Sequence, residues 1–481
     1  MNIMIIASEA APLATAGGLG DVIGSLPIAL TELGCRVSVV LPAYRPALKR
    51  IKEWEVRIED LPVALGKRNV TGDILLGQLD PDVPIYLVRR DEFFDRNGIY
   101  GTDKGEYFDN LERYIFFSHS IPALCSALSF RPDIILANDW QTGLVMALLD
   151  HGVLPGSAGI FAIHNMGYLG LVPREGVGNI GLPDKYYRME GLEFYGRMSL
   201  LKAGIVYAKR IVTVSPTYAL EIQTPELGFG LDGLIRSIRE RLYGILNGVD
   251  YRVWNPETDE YLAANYSPQN LTGKALCKED LLKVMELDLG LMDRPVVGMV
   301  TRLVEQKGCS LLAEAAEELF AMGLGLVILG SGDDVYEEQL LDLQTRYPDR
   351  FGLKLGFDTG LAHKIIAGSD IFLIPSLYEP CGLTQMYSLK YGTIPVVRAT
   401  GGLKDTVIDP NEKAGKSTGF KFERFQAADL VEGVKRTLRA FEQPDLWQKM
   451  IREGMDQDFS WRRSANEYLD LFERTLRGGD K

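Results

Sequence analysis

Short apolar runs alternate with stretches of helical periodicity along most of the chain. Residues 3–7 form an unbroken apolar run, Ile-Met-Ile-Ile-Ala, the pattern of a strand buried on both faces. A helix-like stretch follows over 20–33 and ends at Gly34, a residue suited to a helix C-terminus. The alternation continues with a strand at 37–41, a long helix at 110–128, and strands at 133–137, 159–163 and 210–214, the last running into Ser215-Pro216. Such a rhythm predicts βαβ units on a parallel sheet.

The pattern then pauses. Over 247–270 apolar periodicity lapses, and Asn255-Pro256 and Ser267-Pro268 read as turns. A second α/β series begins with a strand at 295–300 and a helix at 310–322. A strand at 324–329 follows, ending in Gly330-Ser331-Gly332-Asp333. Strand 371–374, helix 383–391 and strand 394–397 complete it. A last helix is expected at 464–474. The pattern therefore predicts two α/β domains divided near residue 250.

Length agrees, because 481 residues exceed what one core holds. The net charge of −13 argues against nucleic-acid or anionic-membrane partners, whose affinity comes from clustered Lys and Arg. The five cysteines, Cys35, Cys125, Cys277, Cys309 and Cys381, include no C-x-x-C pair, which points to a reducing compartment without disulfides or a zinc site. No apolar run reaches the ~18 residues of a membrane span, and the start lacks a basic leader. A cytoplasmic location is the expectation.

One short loop occurs twice, as Gly17-Gly18-Leu19-Gly20-Asp21-Val22 and as Gly401-Gly402-Leu403-Lys404-Asp405-Thr406. Paired glycines leave backbone N–H groups unshielded, and a helix opening behind them favours an anion such as phosphate. The chemical candidates stand just after strands, where open α/β sheets bind ligands: both loops, Asp139, His164, Asn247, Arg302, Lys307 and Glu379. Arg302 and Lys307 could stabilise charge on a departing diphosphate, Arg through a bidentate fork and Lys as a point charge. Plainer roles are open to each residue. The cations could make surface contacts, Glu379 could complement a helix dipole, and Asp139 could cap a helix. Asn247 could be a turn residue, and His164 a satisfied structural side chain. No Ser or Cys nucleophile beside a base is visible, and no cluster has metal-ligand spacing.

Pro375-Ser376-Leu377-Tyr378-Glu379-Pro380-Cys381-Gly382-Leu383-Thr384-Gln385 followed by Thr400-Gly401-Gly402-Leu403 resembles the donor site of bacterial glycogen and plant starch synthases. The resemblance extends through Asn138-Asp139-Trp140, Ile163-His164-Asn165, Ser215-Pro216-Thr217-Tyr218, Asn247-Gly248-Val249-Asp250, the Arg302–Gly308 segment and Asp458-Phe459-Ser460-Trp461, nearly the whole chain. It implies two Rossmann-like domains facing across a cleft, the GT-B architecture. The N-terminal domain (1–250) would form the acceptor side and the C-terminal domain (251–455) the nucleotide-sugar side. Residues 456–481 would pack back on the first domain. The implied reaction transfers glucose from ADP-glucose to the 4-OH of an α-1,4-glucan with retention, using no metal or other cofactor.

The resemblance makes Glu379, His164, Arg302, Lys307 and Asp139 the catalytic set. It assigns substrate binding to Thr15, Gly17, Gly18, Asn165, Asn247, Cys381, Gly382, Leu383, Thr400, Gly401 and Gly402. Glu379 would face the glucose, with His164, Asp139 and Asn247 near the sugars. Tyr387 stands where many relatives of this fold carry a second Glu, a departure usual in the synthase branch. There is a second departure: the family's glycine pair usually follows Lys-Thr or Lys-Val, and here Thr15-Ala16 stand there, with Arg45 a residue that could do the missing cation's work. A glucan-binding or regulatory paralogue of reduced activity, and a synthase using UDP- or GDP-glucose, remain alternatives.

Overall fold

A parallel strand at the centre of a sheet must be apolar on both faces, and Ile3, Met4, Ile5 and Ile6 are all fully buried. In the computed structural model, which describes residues 1–102, 105–412 and 415–478, they form β1 (Asn2–Ile6). The first series continues with β2 (Arg36–Pro42), β3 (Trp54–Leu65), β4 (Arg68–Asp80), β5 (Val83–Arg89), β6 (Ile134–Asn138), β7 (Ala158–Ile163), β8 (Arg210–Thr213) and β9 (Leu242–Gly244). The second has β10 (Val296–Val300), β11 (Gly325–Gly330), β12 (Phe351–Leu355), β13 (Ile371–Ile374), β14 (Ile394–Arg398) and β15 (Phe420–Phe422). The helices that matter below are α1 (Gly18–Glu32), α2 (Asn110–Ala127), α3 (Cys309–Ala321), α4 (Thr384–Lys390), α5 (Gly401–Thr406) and α6 (Trp461–Arg477).

The chain divides into two units, residues 1–248 with those from Trp461 onward, and Val249–Ser460. In the first, the strands lie in the order β9-β8-β7-β6-β1-β2-β5-β4-β3. All pairs from β9 to β5 are parallel, and β5-β4 and β4-β3 are antiparallel. Helix α6 packs on α1. Its buried Trp461, Ala465, Tyr468 and Phe472 fall at helical spacing on one face. Gly248 is required beside it, since a Cβ there would lie 2.7 Å from the Trp461 ring.

The second unit is a fully parallel sheet in the order β12-β11-β10-β13-β14-β15. Renumbered from its own first strand this is 3-2-1-4-5-6, the Rossmann order, in which ligands bind beyond the strands' carboxyl ends where the order reverses. No helix or strand lies between Gly244 and Thr272, the stretch where apolar periodicity lapses. The division itself falls at 248/249: the Val249 N–H donates to the Phe459 carbonyl at 2.7 Å, tying both ends of the second unit together.

The antiparallel ribbon β3–β5 has no counterpart in the sequence pattern. β3 is an edge strand with Trp54 and Val56 exposed among Glu55, Arg57 and Glu59, so it offers no continuous apolar run. The helices Thr272–Val284, Asp334–Arg346, Thr359–Gly368, Ala427–Phe441 and Pro444–Met455 also go beyond the predicted elements. Helix α6 starts at Trp461 rather than 464.

Phe472 is fully buried on α6, so Phe472→Ala should lower stability by about 3–5 kcal/mol. Urea unfolding followed by tryptophan fluorescence checks this, and a loss under about 1 kcal/mol would show that α6 is not integral to the first core.

Candidate active site

In the first unit the candidates gather where β1, β6 and β7 end. β1 leads through Ser8 and Glu9 to the first glycine pair. Glu9 is 5% exposed, and its Oε2 accepts the N–H groups of Ala16 (2.7 Å) and Gly17 (2.8 Å). The Tyr100 hydroxyl donates to its Oε1 at 2.7 Å. This corrects the reading of the loop as unshielded: its Gly17 amide, with that of Ala16 just before it, already meets a carboxyl group of the same chain, and what stays at the rim is the N-terminus of α1, starting at Gly18. Thr15 is exposed and folds back over Gly20, where an added Cβ would be 2.6 Å from its Cγ2. Arg45 is not a substitute cation. Its guanidinium is spent on the Asp95 carboxylate (2.7 Å) and carbonyl and on Asn97.

Asp139 directly follows β6 with φ at +56°, a conformation rare outside glycine and frequent at functional sites. It does not cap a helix. Its Oδ1 accepts the backbone N–H of His164 at 2.7 Å and that of Asn165 at 3.4 Å. Asp139 therefore clamps the turn after β7, which Asn165 tightens by accepting the Gly167 N–H at 2.9 Å. Desolvation pushes the Asp139 carboxyl up to about 7 and that of Asp21 to about 6, with repulsion from Glu9 adding to both. Burial raises Glu9 as well. Burial has the opposite sign on an imidazole, and His164 falls to about 4, so its ring is neutral. The ring's Nε2 lies 2.9 Å from Asn138 Oδ1. Asn247, after β9, is more than a turn residue: it is buried, and its Oδ1 has no hydrogen-bond partner among the described residues.

In the second unit β10 is followed by exposed Arg302 and a turn carrying Lys307. The loop after β11 clasps this segment. Leu303 N–H donates to Ser331 O and Asp333 N–H to Leu303 O, both at 2.8 Å. The approach demands glycine, since a Cβ on Gly330 would be 1.9 Å from Thr301 O and one on Gly332 2.1 Å from Leu303 O. Lys307 Nζ sits 2.6 Å from Glu379 Oε2, which also accepts the Ser376 hydroxyl at 3.0 Å. Glu379 is thus held by a cation and a hydroxyl, not by the dipole of α4, which starts five residues later.

The second glycine pair also differs from its expected form. It opens a helix of only six residues, α5, and its glycines serve close packing against the Glu379 loop. Gly401 has φ +44°, and a Cβ there would be 1.9 Å from Glu379 O; on Gly402 it would be 2.1 Å from Cys381 O. The Gly402 N–H points at the carbonyls of Glu379 and Pro380. Gln385 Nε2 joins Cys381 O, Gly382 O and Thr406 Oγ1, so Cys381, Gly382 and Leu383 belong to one braced turn with Thr400–Gly402. Tyr387 on α4 stacks on Trp254 with ring centroids 4.0 Å apart, and Trp254 stacks on His363 at 3.8 Å.

Each unit therefore collects its own set: Thr15, Gly17, Gly18, Asp139, His164, Asn165 and Asn247 in the first, and Arg302, Lys307, Glu379, Cys381, Gly382, Leu383, Thr400, Gly401 and Gly402 in the second. Sequence reasoning passed over Glu9, Ser376 and Phe357. Phe357 follows β12 and is 90% exposed, an aromatic face left in water at the carboxyl end of a strand of the second sheet. Among the described residues no group of three or more His, Cys, Asp or Glu could hold a metal ion, and no helix is long and apolar enough to cross a membrane.

The family described as starch synthase catalytic domain matches residues 2–237, and glycosyl transferases group 1 matches residues 288–454. A glycogen synthase of Desulfatibacillum aliphaticivorans is 48% identical over 99% of both chains. The chain belongs to the glycogen and starch synthase family. A glycogen synthase of Syntrophotalea carbinolica is 45% identical, again over 99% of each chain. The catalytic domain of Arabidopsis thaliana starch synthase IV, solved with ADP and acarbose, superposes with a TM-score of 0.92 at 32% identity over 99% of each chain. A sucrose-phosphate synthase of Thermosynechococcus elongatus, at TM-score 0.63 and 17% identity over 99% of this chain and 100% of its own, shares the fold. The protein is a glycosyltransferase of the GT-B architecture.

The Asp139 environment gives a pH test. Its folded pKa, about 7, lies above the ordinary 3.8, so the fold favours the protonated acid. The wild type therefore loses stability as pH rises from about 4 to about 7. Asp139→Asn keeps an acceptor for the His164 N–H and cannot ionise. The melting temperature of the variant relative to wild type should rise from pH 4.5 to pH 8, while turnover falls. An equal difference at both pH values would refute the raised pKa.

Proposed function

We propose that the enzyme transfers glucose from ADP-glucose to the 4-OH at the non-reducing end of an α-1,4-glucan, retaining configuration and using no metal. The observation that carries this is the arrangement after β10 and β13: exposed Arg302, and Lys307 paired at 2.6 Å with a Glu379 that Ser376 also holds. Breaking the bond between C1 and the phosphate oxygen puts negative charge on the diphosphate and positive charge on the sugar. Arg302 and Lys307 stabilise the first. Glu379, with Oε2 taken by its partners, keeps Oε1 to place the glucose against the second. Attack comes from the face the phosphate leaves: the acceptor O4 bonds to C1, and its proton passes to a phosphate oxygen. Neutral His164 and the Asp139 that clamps its backbone are the first unit's candidates for binding the sugar.

ADP as the carrier follows the starch synthase relative solved with ADP. Phe357 would stack on the base, and since every base offers a π-face, it supplies affinity rather than choice of base. The buried cysteines, which form no disulfide among the described residues, support a cytoplasmic location. The test incubates purified protein with glycogen and labelled ADP-, UDP- or GDP-glucose, with and without EDTA. Incorporation from ADP-glucose unaffected by EDTA is expected. Preference for another donor, or magnesium-restored activity, would overturn the corresponding part.

Arg302→Ala and Lys307→Ala should each lower kcat/KM by roughly 10²–10³-fold, the scale of a lost charge-stabilising donor. Near-normal kinetics in folded variants would rule the role out.

One observation favours reduced activity as a second reading: Thr15 brings no charge to the first loop. Thr15→Lys should raise kcat/KM for the nucleotide sugar. A neutral or harmful effect in an active wild type would show that no cation is needed there.

A further inference from the structure

Asn138 is the last residue of β6, 1% exposed, and its side chain makes three hydrogen bonds that leave no freedom in its orientation. Nδ2 donates to Ile6 O at 3.0 Å and Leu136 O at 3.3 Å. Turning the amide over would point its oxygen at two carbonyls, so Oδ1 must face His164 Nε2, 2.9 Å away. An amide oxygen only accepts. The Nε2 of His164 therefore carries the ring proton, and Nδ1 carries a lone pair. Neighbouring Asp139 grips the same residue by its backbone, through the His164 N–H at 2.7 Å. Two consecutive residues thus hold His164 twice, one fixing the main chain and the other the ring.

We infer that Asn138 is a positioning residue that fixes His164 as the Nε2–H tautomer and orients its ring for glucosyl transfer. The link to transfer rests on the function proposed above. A histidine set this way offers a sugar hydroxyl an acceptor at Nδ1. The other tautomer would offer a donor and repel an N–H or misplace a hydroxyl. Asn138 itself touches no substrate and works only through the imidazole.

The tautomer can be read without substrate, by ¹⁵N NMR of the histidine side chains. The protein has four histidines, and the spectrum of His164→Gln identifies the His164 signals. In the wild type Nε2 should be protonated and Nδ1 bare; a protonated Nδ1 overturns the assignment with no Asn138 variant needed. Asn138→Leu cannot accept the Nε2 proton, so the two tautomers should mix. Its kcat should fall by about 10- to 100-fold, the scale of losing an orienting partner behind a working side chain, with KM for the donor within about twofold. A purely structural Asn138 would lower the melting temperature and leave the tautomer unchanged, and that result would refute the proposal. A wild-type protein that transferred no glucose would sink the proposed function while leaving the tautomer assignment to stand on the spectrum.

Discussion

Parallel strands buried on both faces impose the constraint from which the rest follows. Their connections must cross over helices, so every strand in such a sheet delivers its carboxyl end to the same rim. β1, β6 and β7 deliver Glu9, Asp139 and His164 to one rim, and β10, β11 and β13 deliver Arg302, the Gly330–Asp333 loop and Glu379 to another. Residues as far apart in sequence as Glu9 and His164, or Arg302 and Glu379, reach one rim because apolar runs such as 3–6 and 371–374 have nowhere to go but a sheet interior. The chemistry sits on turns, but the address of each turn is set by the core.

Those turns are held by groups that also carry charge, which makes structure and reactivity hard to separate. Glu379 is at once a candidate for the sugar and the anchor of Lys307. Asp139 is a candidate near the sugars and the clamp on the turn after β7. Glu9 fixes a glycine loop by filling it with negative charge and raises the acidity threshold of its neighbours Asp21 and Asp139. Each ionised acid is tolerated because backbone N–H groups or a cation meet it. Strain such as the positive φ of Asp139 persists because the surrounding strands leave it no alternative.

The legible part of the sequence was the part encoded in contiguous pattern. The central strands read as apolar runs, and the paired glycines and the residues after each strand marked the turns. In the antiparallel ribbon from Trp54 to Arg89, β3 was silent because it lies at the sheet edge with most of its first half open to water. The glycine loops have close partners within the chain that the sequence did not reveal. Glycine signals that something comes close to the backbone, and a sequence cannot say whether that is a phosphate or, as at Gly401 and Gly402, the chain's own Glu379–Cys381 segment. Glu9 and Ser376 escaped notice for a related reason: their importance lies in contacts at separations of 7 and 3 residues that no periodic pattern records. The role of Asn138 needed three distances before its amide could be oriented at all.

The placement of α6 has a consequence for how the protein comes into being. The helix that completes the first core, with Trp461 against Gly248 and Phe472 fully buried, leaves the ribosome only after the entire second unit. All of Val249–Ser460 is synthesised in between. Until then α1 has an apolar flank with no cover, so the N-terminal half waits, nearly finished, through the whole production of the other half. The first unit is closed by a segment made after the second, so the second unit can be complete before the first is.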